Sequence, residues 1–215
     1  MTEPEEKAIN VPPVTLYTAA AMIIIHLLLI ASSQDTVNWL YRTLAFSTDS
    51  FAAFLSEPTG AGFVPVFVTL NGHLFLHHDF FHLLLNAFML LAFGSLIERL
   101  RGPAIFILLF LCAGWIGAMG EYLAGGAEAG SFLYGASGSV FGMMGAYVWI
   151  MMARSGAKKA WSFAAAIMGI NLVIGISPLG NLLTGGDANI SWAAHLAGFL
   201  AGLVIYKLLP RSPAI

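Results

Sequence analysis

Long stretches without a charged residue divide the chain into six apolar windows. The uncharged intervals are 18 to 27 residues long and cover 8–34, 80–97, 102–120, 129–153, 160–186 and 188–206. A helix that crosses the hydrocarbon core of a bilayer needs about 20 mainly apolar residues, with a range of roughly 17–25. The pattern therefore predicts an all-α bundle of six membrane-spanning helices, at about 14–31, 80–97, 103–120, 136–153, 160–177 and 191–208.

The connection between the first two predicted spans, residues 32–79, is the one long outer loop. Its part 58–78 is uncharged over 21 residues but contains Pro58, Pro65, several glycines and three histidines. Because Pro and Gly interrupt helices, we expect a partly embedded loop there. Further upstream, apolar side chains recur at helical spacing: Val37, Leu40, Tyr41, Leu44, Phe51, Phe54 and Leu55. They predict short helices that either lie along the membrane surface or pack on the bundle.

The composition agrees with a membrane protein. The chain is 59% hydrophobic and 9% charged, and its mean hydropathy is +0.83. A soluble domain carries about 25% charged residues, so a soluble enzyme is excluded. A net charge of −2 argues against nucleic-acid binding through a basic face. The single cysteine, Cys112, has no CxxC partner, so neither a disulfide framework nor a thiolate metal site is expected.

The basic residues predict the orientation of the spans. Eight of the nine Lys and Arg residues fall on one side, leaving only Arg42 on the other, and the eight are Lys7, Arg99, Arg101, Arg154, Lys158, Lys159, Lys207 and Arg211. By the positive-inside rule both termini are cytoplasmic, and spans two, four and six begin at the outer face. The acidic N-terminal flank and long first apolar core predict a retained span rather than a signal peptide. We expect a single membrane-embedded domain, 1–215, in a bacterial inner (plasma) membrane, because no targeting extension is visible.

Polar side chains inside the predicted spans are few and lie at similar depths. His82 and Asn86 lie in the first turns of the second span, Ser137 at the start of the fourth, and His195 near the start of the sixth. At about 1.5 Å per helical residue, each lies on the order of 10 Å below the outer interface. Polar groups inside a bilayer are costly and usually functional. Their convergence indicates a site.

Small residues at four-residue spacing form a stripe on each of two predicted spans. They are Gly138, Gly142 and Ala146 on the fourth span, and Ala194, Gly198 and Gly202 on the sixth. Such stripes let helix backbones pack closely. Close packing of the two stripes would bring Ser137 within hydrogen-bond reach of His195.

A serine becomes a useful nucleophile when an adjacent base takes its proton, and His195 is the natural base for Ser137. A tetrahedral intermediate also needs hydrogen-bond donors for its oxyanion. The free backbone N–H of Ser137 at a helix N-terminus and the side chains of His82 and Asn86 are the candidates. No acidic residue lies in the outer half of these spans to orient His195. The residues therefore favour a serine–histidine dyad over a triad.

Structural explanations compete with this chemistry. A serine in a membrane helix commonly bonds to its own backbone one turn back, and intramembrane His and Asn commonly join helices. Four histidines, His73, His77, His78 and His82, could instead bind a metal. Because only Asp79 is a nearby acid and no cysteine joins them, we expect no metal site. His26 has no visible partner in the sequence, and we expect it to be packed and neutral.

Three motifs together resemble the rhomboid intramembrane serine proteases. They are HLFLHHDFFHLLLN at 73–86, GASG at 135–138 and AHLAGFLAG at 194–202. In the forms HxxxxHxxxN, GASGxxxG and AHxxGxxxG, on spans two, four and six, the combination is highly specific. The resemblance extends from about residue 62 to 207, and six spans equal the minimal bacterial form.

The resemblance implies roles for the polar residues. Ser137 would be the nucleophile and His195 the general base. His82, Asn86 and the Ser137 amide would form the oxyanion hole, and Gly135 would shape the loop beside it. Gly138 and Gly198 would support the site from the two small-residue stripes.

The resemblance also covers residues around the site. Phe141 occupies the position of an aromatic that stacks on the catalytic histidine, while Glu98 and His77 match positions that are structural in the family. One departure is visible: the family usually carries Trp-Arg in the first loop, where this chain has Val68 and Thr69. That change concerns the anchoring of the loop in the headgroups and touches no catalytic group.

By this resemblance the chain would be a serine endopeptidase that cleaves single-span membrane proteins near the outer face, with no metal or organic cofactor. Its partners would be transmembrane substrates and the lipid bilayer, with no nucleic acid, and its oligomeric state stays open. One alternative is a non-catalytic rhomboid-like protein that binds client helices. The other is a small transporter or channel, against which the apolar inner halves of the spans argue.

Overall fold

The computed structural model describes residues 11–126, 132–177 and 190–210, and its regular structure in this part consists of helices and two short strands. The charged residues Lys7, Glu128, Asp187 and Arg211, which entered the spacing and orientation arguments, lie outside the described residues. The helices are α1 (Pro13–Ile30), α2 (Gln34–Leu44), α3 (Thr48–Ser56), α4 (Gly60–Gly72), α5 (Phe80–Met89), α6 (Ser95–Arg101), α7 (Pro103–Glu121), α8 (Ser137–Ser155), α9 (Ala157–Ile176) and α10 (Trp192–Leu208).

Each of the six apolar windows contains a long helix. A π-helical segment, Leu90–Gly94, joins α5 and α6 into one continuous helix, and another, Tyr122–Gly126, follows α7. Within the described residues, four helices have the length and apolar composition of a membrane span: Pro13–Ile30, Phe80–Arg101, Pro103–Gly125 and Ala157–Gly175. The all-α membrane bundle is thereby confirmed. α8 and α10 occupy the other two windows, and the six-span count stays a prediction.

The small-residue stripes of α8 and α10 pack against each other at the centre of the bundle. A Cβ atom added at Gly198 would lie 2.2 Å from the carbonyl oxygen of Gly138. One added at Gly202 would lie 1.8 Å from the carbonyl oxygen of Gly142. Any side chain at these positions would overlap the facing backbone. The close approach predicted from the stripes is therefore confirmed.

The prediction of a loop over 58–78 was wrong, because α4 occupies most of it. Thr59 caps this helix by accepting a hydrogen bond from Gly62 N–H at 3.2 Å. Pro65 lies in the second turn, where it removes one helical hydrogen bond, the one that position 65 would donate to the Ala61 carbonyl, and the helix continues past it. Gly72 lets the helix end against Leu44 of α2, since a Cβ there would lie 2.9 Å from the Leu44 carbonyl oxygen. His73 begins the 3₁₀ turn His73–Phe75 that follows α4, and His77 and His78 lie after this turn.

The short helices predicted from the 37–55 pattern are present as α2 and α3, and their apolar side chains pack on the protein. Val37, Leu40, Tyr41 and Leu44 of α2 surround the buried residues Leu29, Ala45 and Leu76. In α3, Phe51 joins Phe46, Val66 and Ala118 in a second cluster. Between the helices, strand β1 (Phe46–Ser47) pairs antiparallel with β2 (Phe132–Leu133), in the register Phe46 to Leu133. This pairing ties the first connection to the segment that precedes α8.

A buried carboxylate holds the start of α1 against the end of α6. Glu98 accepts hydrogen bonds from the backbone N–H of Val14 at 3.1 Å and of Thr15 at 2.7 Å, and from the Thr15 hydroxyl at 2.7 Å. N–H groups in the first turn of a helix have no acceptor within the helix, so Glu98 satisfies two of them. This agrees with a structural role for Glu98.

We predict that Gly202→Ala destabilises the protein, because the added methyl group would overlap the Gly142 carbonyl. Overpacking of this kind costs about 1–3 kcal/mol. A thermal unfolding curve in detergent, monitored by circular dichroism, measures the change in stability. Gly169→Ala on α9 is the matched control, since a Cβ there meets nothing within 4 Å. Equal melting temperatures for the two variants would contradict the packing described here.

Candidate active site

Ser137 is the first residue of α8, and its surroundings set the start of that helix. The preceding Gly135 has φ +118°, a conformation that favours glycine because it lacks a Cβ. Ser139 Oγ donates to the Phe110 carbonyl at 2.5 Å and joins α8 to α7. At the start of the helix the Ser137 N–H has no acceptor within α8. Ser137 itself is only half-buried, so its hydroxyl can be reached.

The structure brings Ser137 and His195 together. His195 Nε2 on α10 lies 2.8 Å from Ser137 Oγ. The Phe141 ring, one turn along α8, stacks on the imidazole with centroids 4.3 Å apart and planes inclined by 8°. The stacking expected of Phe141 is thus observed. The glycine contacts between α8 and α10 supply the short backbone separation that this geometry needs.

A third side chain, which the sequence analysis missed, reaches the imidazole from α9. Asn171 is buried, and its Oδ1 lies 2.6 Å from His195 Nδ1. Its Nδ2 donates to the Trp192 carbonyl at 3.1 Å. The sequence analysis searched only for a carboxylate to orient His195, so an amide was passed over. The available signal was the single asparagine within the fifth predicted span, 160–177.

The two side chains expected to donate to an oxyanion both lie on α5. The His82 ring lies beside Gly135, where an added Cβ would be 2.7 Å from His82 Cε1. The structure therefore brings His82 to the segment immediately before Ser137. Asn86 is buried one turn further along, and its Nδ2 donates one N–H to the His82 carbonyl at 2.9 Å. Its second amide hydrogen is not used by that bond.

The segment before Ser137 is held by the first connection. Gly135 N–H donates to the His73 carbonyl at 2.8 Å, and Ala136 N–H points to His77 Nε2 at 3.5 Å. The His77 carbonyl in turn accepts from His26 Nδ1 at 3.1 Å. The same His77 carbonyl also accepts a hydrogen bond from the Tyr41 hydroxyl at 2.9 Å, so Tyr41 holds it as well. His26 thus has a partner that the sequence did not reveal.

The buried histidines of this connection are neutral near pH 7. Burial lowers the pKa of His73 to about 4 and that of His77 to about 3. A neutral His73 donates from Nδ1 to the Thr69 carbonyl at 2.9 Å. A neutral His77 presents Nε2 to Ala136 as an acceptor. Both therefore act as scaffold groups, as the resemblance implied for His77.

The end of α7 and the start of α10 are joined by a hydrogen bond between Ser191 Oγ and Glu121 Oε2. Ser191 also caps α10 by accepting from Ala194 N–H at 3.1 Å. The carboxylate stands near the positive end of the α10 dipole, where negative charge is favourable. This contact fixes the start of the helix that carries His195.

The fold and the paired Ser137 and His195 define a polytopic α-helical membrane protein with a polar site built from several helices. A family model, the Rhomboid domain, matches residues 65–212 and so includes all of the site residues. The chain belongs to the rhomboid family.

Comparison with curated proteins finds several bacterial rhomboid proteins. Over 134 residues the chain is 29% identical to the putative rhomboid protease YdcA of Bacillus subtilis (strain 168), covering 60% of this chain and 61% of that protein. Over 128 residues it is 28% identical to the rhomboid protease GluP of the same organism, and the match covers 59% of this chain and 23% of GluP. Over 133 residues it is 29% identical to the rhomboid protease GlpG of Yersinia pestis (strain Pestoides F), and the match covers 62% of this chain and 45% of GlpG. The chain thus spans less than two thirds of each relative.

We predict that Gly135→Ala slows the reaction of Ser137 with a fluorophosphonate by about tenfold or more, equivalent to a barrier increase of about 1.4 kcal/mol. The new Cβ would meet the His82 ring at 2.7 Å and displace it. Gly102→Ala is the matched control, because Gly102 also has positive φ, +82°, but a Cβ there meets nothing within 4 Å. Intact-mass spectrometry follows the labelling rate. An equal loss of rate in both variants would contradict a specific effect at His82.

Proposed function

We propose that this protein is an intramembrane serine endopeptidase that cleaves single-span membrane proteins near the outer face of the bilayer. The observation that carries the proposal is the 2.8 Å contact between Ser137 Oγ and His195 Nε2. The contact joins residues on two helices whose backbones meet through glycine. An imidazole nitrogen at this distance can take the hydroxyl proton as the oxygen attacks. Relatives named rhomboid proteases support the proposal.

The first half of the reaction forms an acyl-enzyme. Ser137 Oγ bonds to the carbonyl carbon of the scissile peptide, while its proton passes to His195 Nε2 and the carbonyl electrons move to oxygen. The tetrahedral intermediate then collapses, and the C–N bond breaks as His195 gives the same proton to the leaving nitrogen. The product with the new amino terminus departs, and the remainder stays as an ester on Ser137.

The second half restores the enzyme with water. Water attacks the ester carbonyl while His195 Nε2 accepts one of its protons. The second intermediate collapses, the C–O bond to Ser137 breaks, and His195 returns the proton to Oγ. The products are one new carboxyl and one new amino terminus, and no metal or organic cofactor takes part.

We assign oxyanion stabilisation to three donors. The Ser137 N–H is free of an acceptor within α8, and the His82 ring lies against Gly135, immediately before Ser137. Asn86 has one amide hydrogen beyond the one used by the His82 carbonyl. Losing one such donor typically lowers kcat by about 10²–10³.

The substrate class follows from the position of the site within the spans. A regular transmembrane helix uses its carbonyls in its own hydrogen bonds, so a substrate must unwind before Ser137 can attack. We therefore propose substrates whose single helix is easily unwound near its outer end, with a small residue before the cut. The orientation argument places both termini in the cytoplasm and the site toward the outside. The apolar helices and the bacterial relatives support a location in a bacterial membrane, and we propose the inner (plasma) membrane.

Covalent labelling tests the catalytic proposal. A fluorophosphonate should modify Ser137 in the detergent-solubilised protein, because an activated serine attacks phosphorus as it attacks a carbonyl. Peptide mapping should place the adduct on Ser137, and Ser137→Ala and His195→Ala should abolish it. Ser139→Ala is the matched control, since Ser139 is a buried serine on the same helix that donates to Phe110 rather than to a histidine. It should keep the adduct.

An absence of any adduct on a folded wild-type protein, alongside a labelled reference hydrolase, would overturn the endopeptidase proposal. The non-catalytic alternative, binding of client helices, would then be favoured. Cleavage of a single-span protein reconstituted with the enzyme in vesicles is the second readout. Mass spectrometry of the two fragments locates the cut relative to the outer interface. A cut in the cytoplasmic half of the substrate helix would contradict the proposed orientation.

A further inference from the structure

The proposed dyad has a third partner, whose contacts connect α9 with α10. Asn171 on α9 lies between the imidazole of His195 and the backbone at the start of α10. Its side chain is 5% exposed, so water does not compete freely for its amide. A polar side chain this buried in an apolar helix is costly unless both ends of the amide are satisfied. Here both ends have partners.

The Trp192 carbonyl fixes which end of the amide faces His195. A carbonyl oxygen can only accept a hydrogen bond, so the group 3.1 Å from it must be the Asn171 NH₂. The amide oxygen is therefore the atom 2.6 Å from His195 Nδ1. Because an amide oxygen only accepts, Nδ1 must carry the imidazole proton. Nε2 then has a free lone pair directed at Ser137 Oγ.

We propose that Asn171 is a positioning residue that fixes the tautomer and orientation of His195, so that the working unit is Ser137–His195–Asn171 rather than a dyad. This inference rests on the proposed function. The amide performs the orienting part of the task of a buried aspartate without bringing a charge into the membrane. It cannot supply the electrostatic stabilisation that a carboxylate gives to the protonated imidazole.

Among the described residues, the other groups around the imidazole do not accept the hydrogen bond from His195 Nδ1–H. Phe141 covers one face of the ring and has no polar atom. His82 on α5 is a second imidazole rather than a carboxylate, and its ring lies against Gly135. At the outer end of α7, Glu121 is hydrogen-bonded to Ser191. Asn171 is thus the residue that accepts the hydrogen bond from His195 Nδ1.

Two substitutions separate orientation from charge. Asn171→Leu removes the acceptor and should lower kcat on the order of 10- to 100-fold, the range seen when groups that orient metal-bound histidines are removed. KM should change little, since Asn171 does not touch the substrate. Asn171→Asp keeps an acceptor for Nδ1–H and should recover much of kcat. Its added negative charge makes the protonated imidazole easier to form, so the acidic limb of its pH–rate profile should move to higher pH.

Nitrogen-15 NMR of labelled histidine reports the tautomer directly. In the wild type the His195 signals should show a protonated Nδ1 and an unprotonated Nε2 near neutral pH, and Asn171→Leu should lose this preference. Ser139→Ala is the structural control, because it removes another buried interhelical hydrogen bond that does not reach His195. It should leave the tautomer, the kcat-to-KM split and the pH profile unchanged.

The failures of the two proposals are distinguishable. If fluorophosphonate labels Ser137 at equal rates in the wild type and a folded Asn171→Leu variant, the role of Asn171 is overturned and the endopeptidase proposal stands. A wild-type spectrum with the His195 proton on Nε2 would also overturn the positioning role of Asn171. If the wild type is not labelled at all, both proposals fail. Slower labelling in Asn171→Leu with rescue by Asn171→Asp supports the positioning role.

Discussion

The contact that the rest of the structure depends on is the one between the backbones of α8 and α10. Gly198 and Gly202 place their Cα atoms against the carbonyls of Gly138 and Gly142, where no side chain fits. Ser137 immediately precedes this seam and His195 lies one turn before Gly198, so the separation of the backbones sets the reach of the side chains. The two residues are 58 positions apart in the chain, yet Ser137 Oγ and His195 Nε2 are in hydrogen-bond contact. Van der Waals packing of small residues therefore does the positioning that a soluble enzyme achieves with a larger core.

Hydrogen bonds between uncharged groups of the first connection also hold the segment that precedes α8. The backbone of Gly135 and Ala136 is held by His73 and His77, whose imidazoles stay uncharged because they are buried. The same segment is tied by strand pairing to the residues between α2 and α3. The first connection thus supports the start of α8. Uncharged groups suit this task, since an ion at such depth would have to be paired.

The sequence predicted what the bilayer and helix geometry impose, and it missed what depends on lateral packing. Charge-free windows are set by membrane thickness, so the long helices were found close to their true bounds. The glycine stripes identified which helices meet, and with them the neighbours Ser137 and His195. The prediction of a loop over 58–78 was wrong because Pro65 was taken to end a helix, although it removes one helical hydrogen bond and α4 continues past it. Asn171 was missed because α9 carries no comparable stripe to show which of its faces turns toward α10.

The buried carboxylate of Glu98 has a consequence for the order of assembly during synthesis. Its partners at the start of α1 precede it by more than eighty residues, so α1 is made long before the group that completes its first turn. Until α6 arrives, two backbone N–H groups of α1 must find water or lipid headgroups. Once α6 arrives, an unpaired Glu98 would cost several kcal/mol, which drives the first two long helices together. The first turn of α1 is thereby completed only after the second long helix has been made.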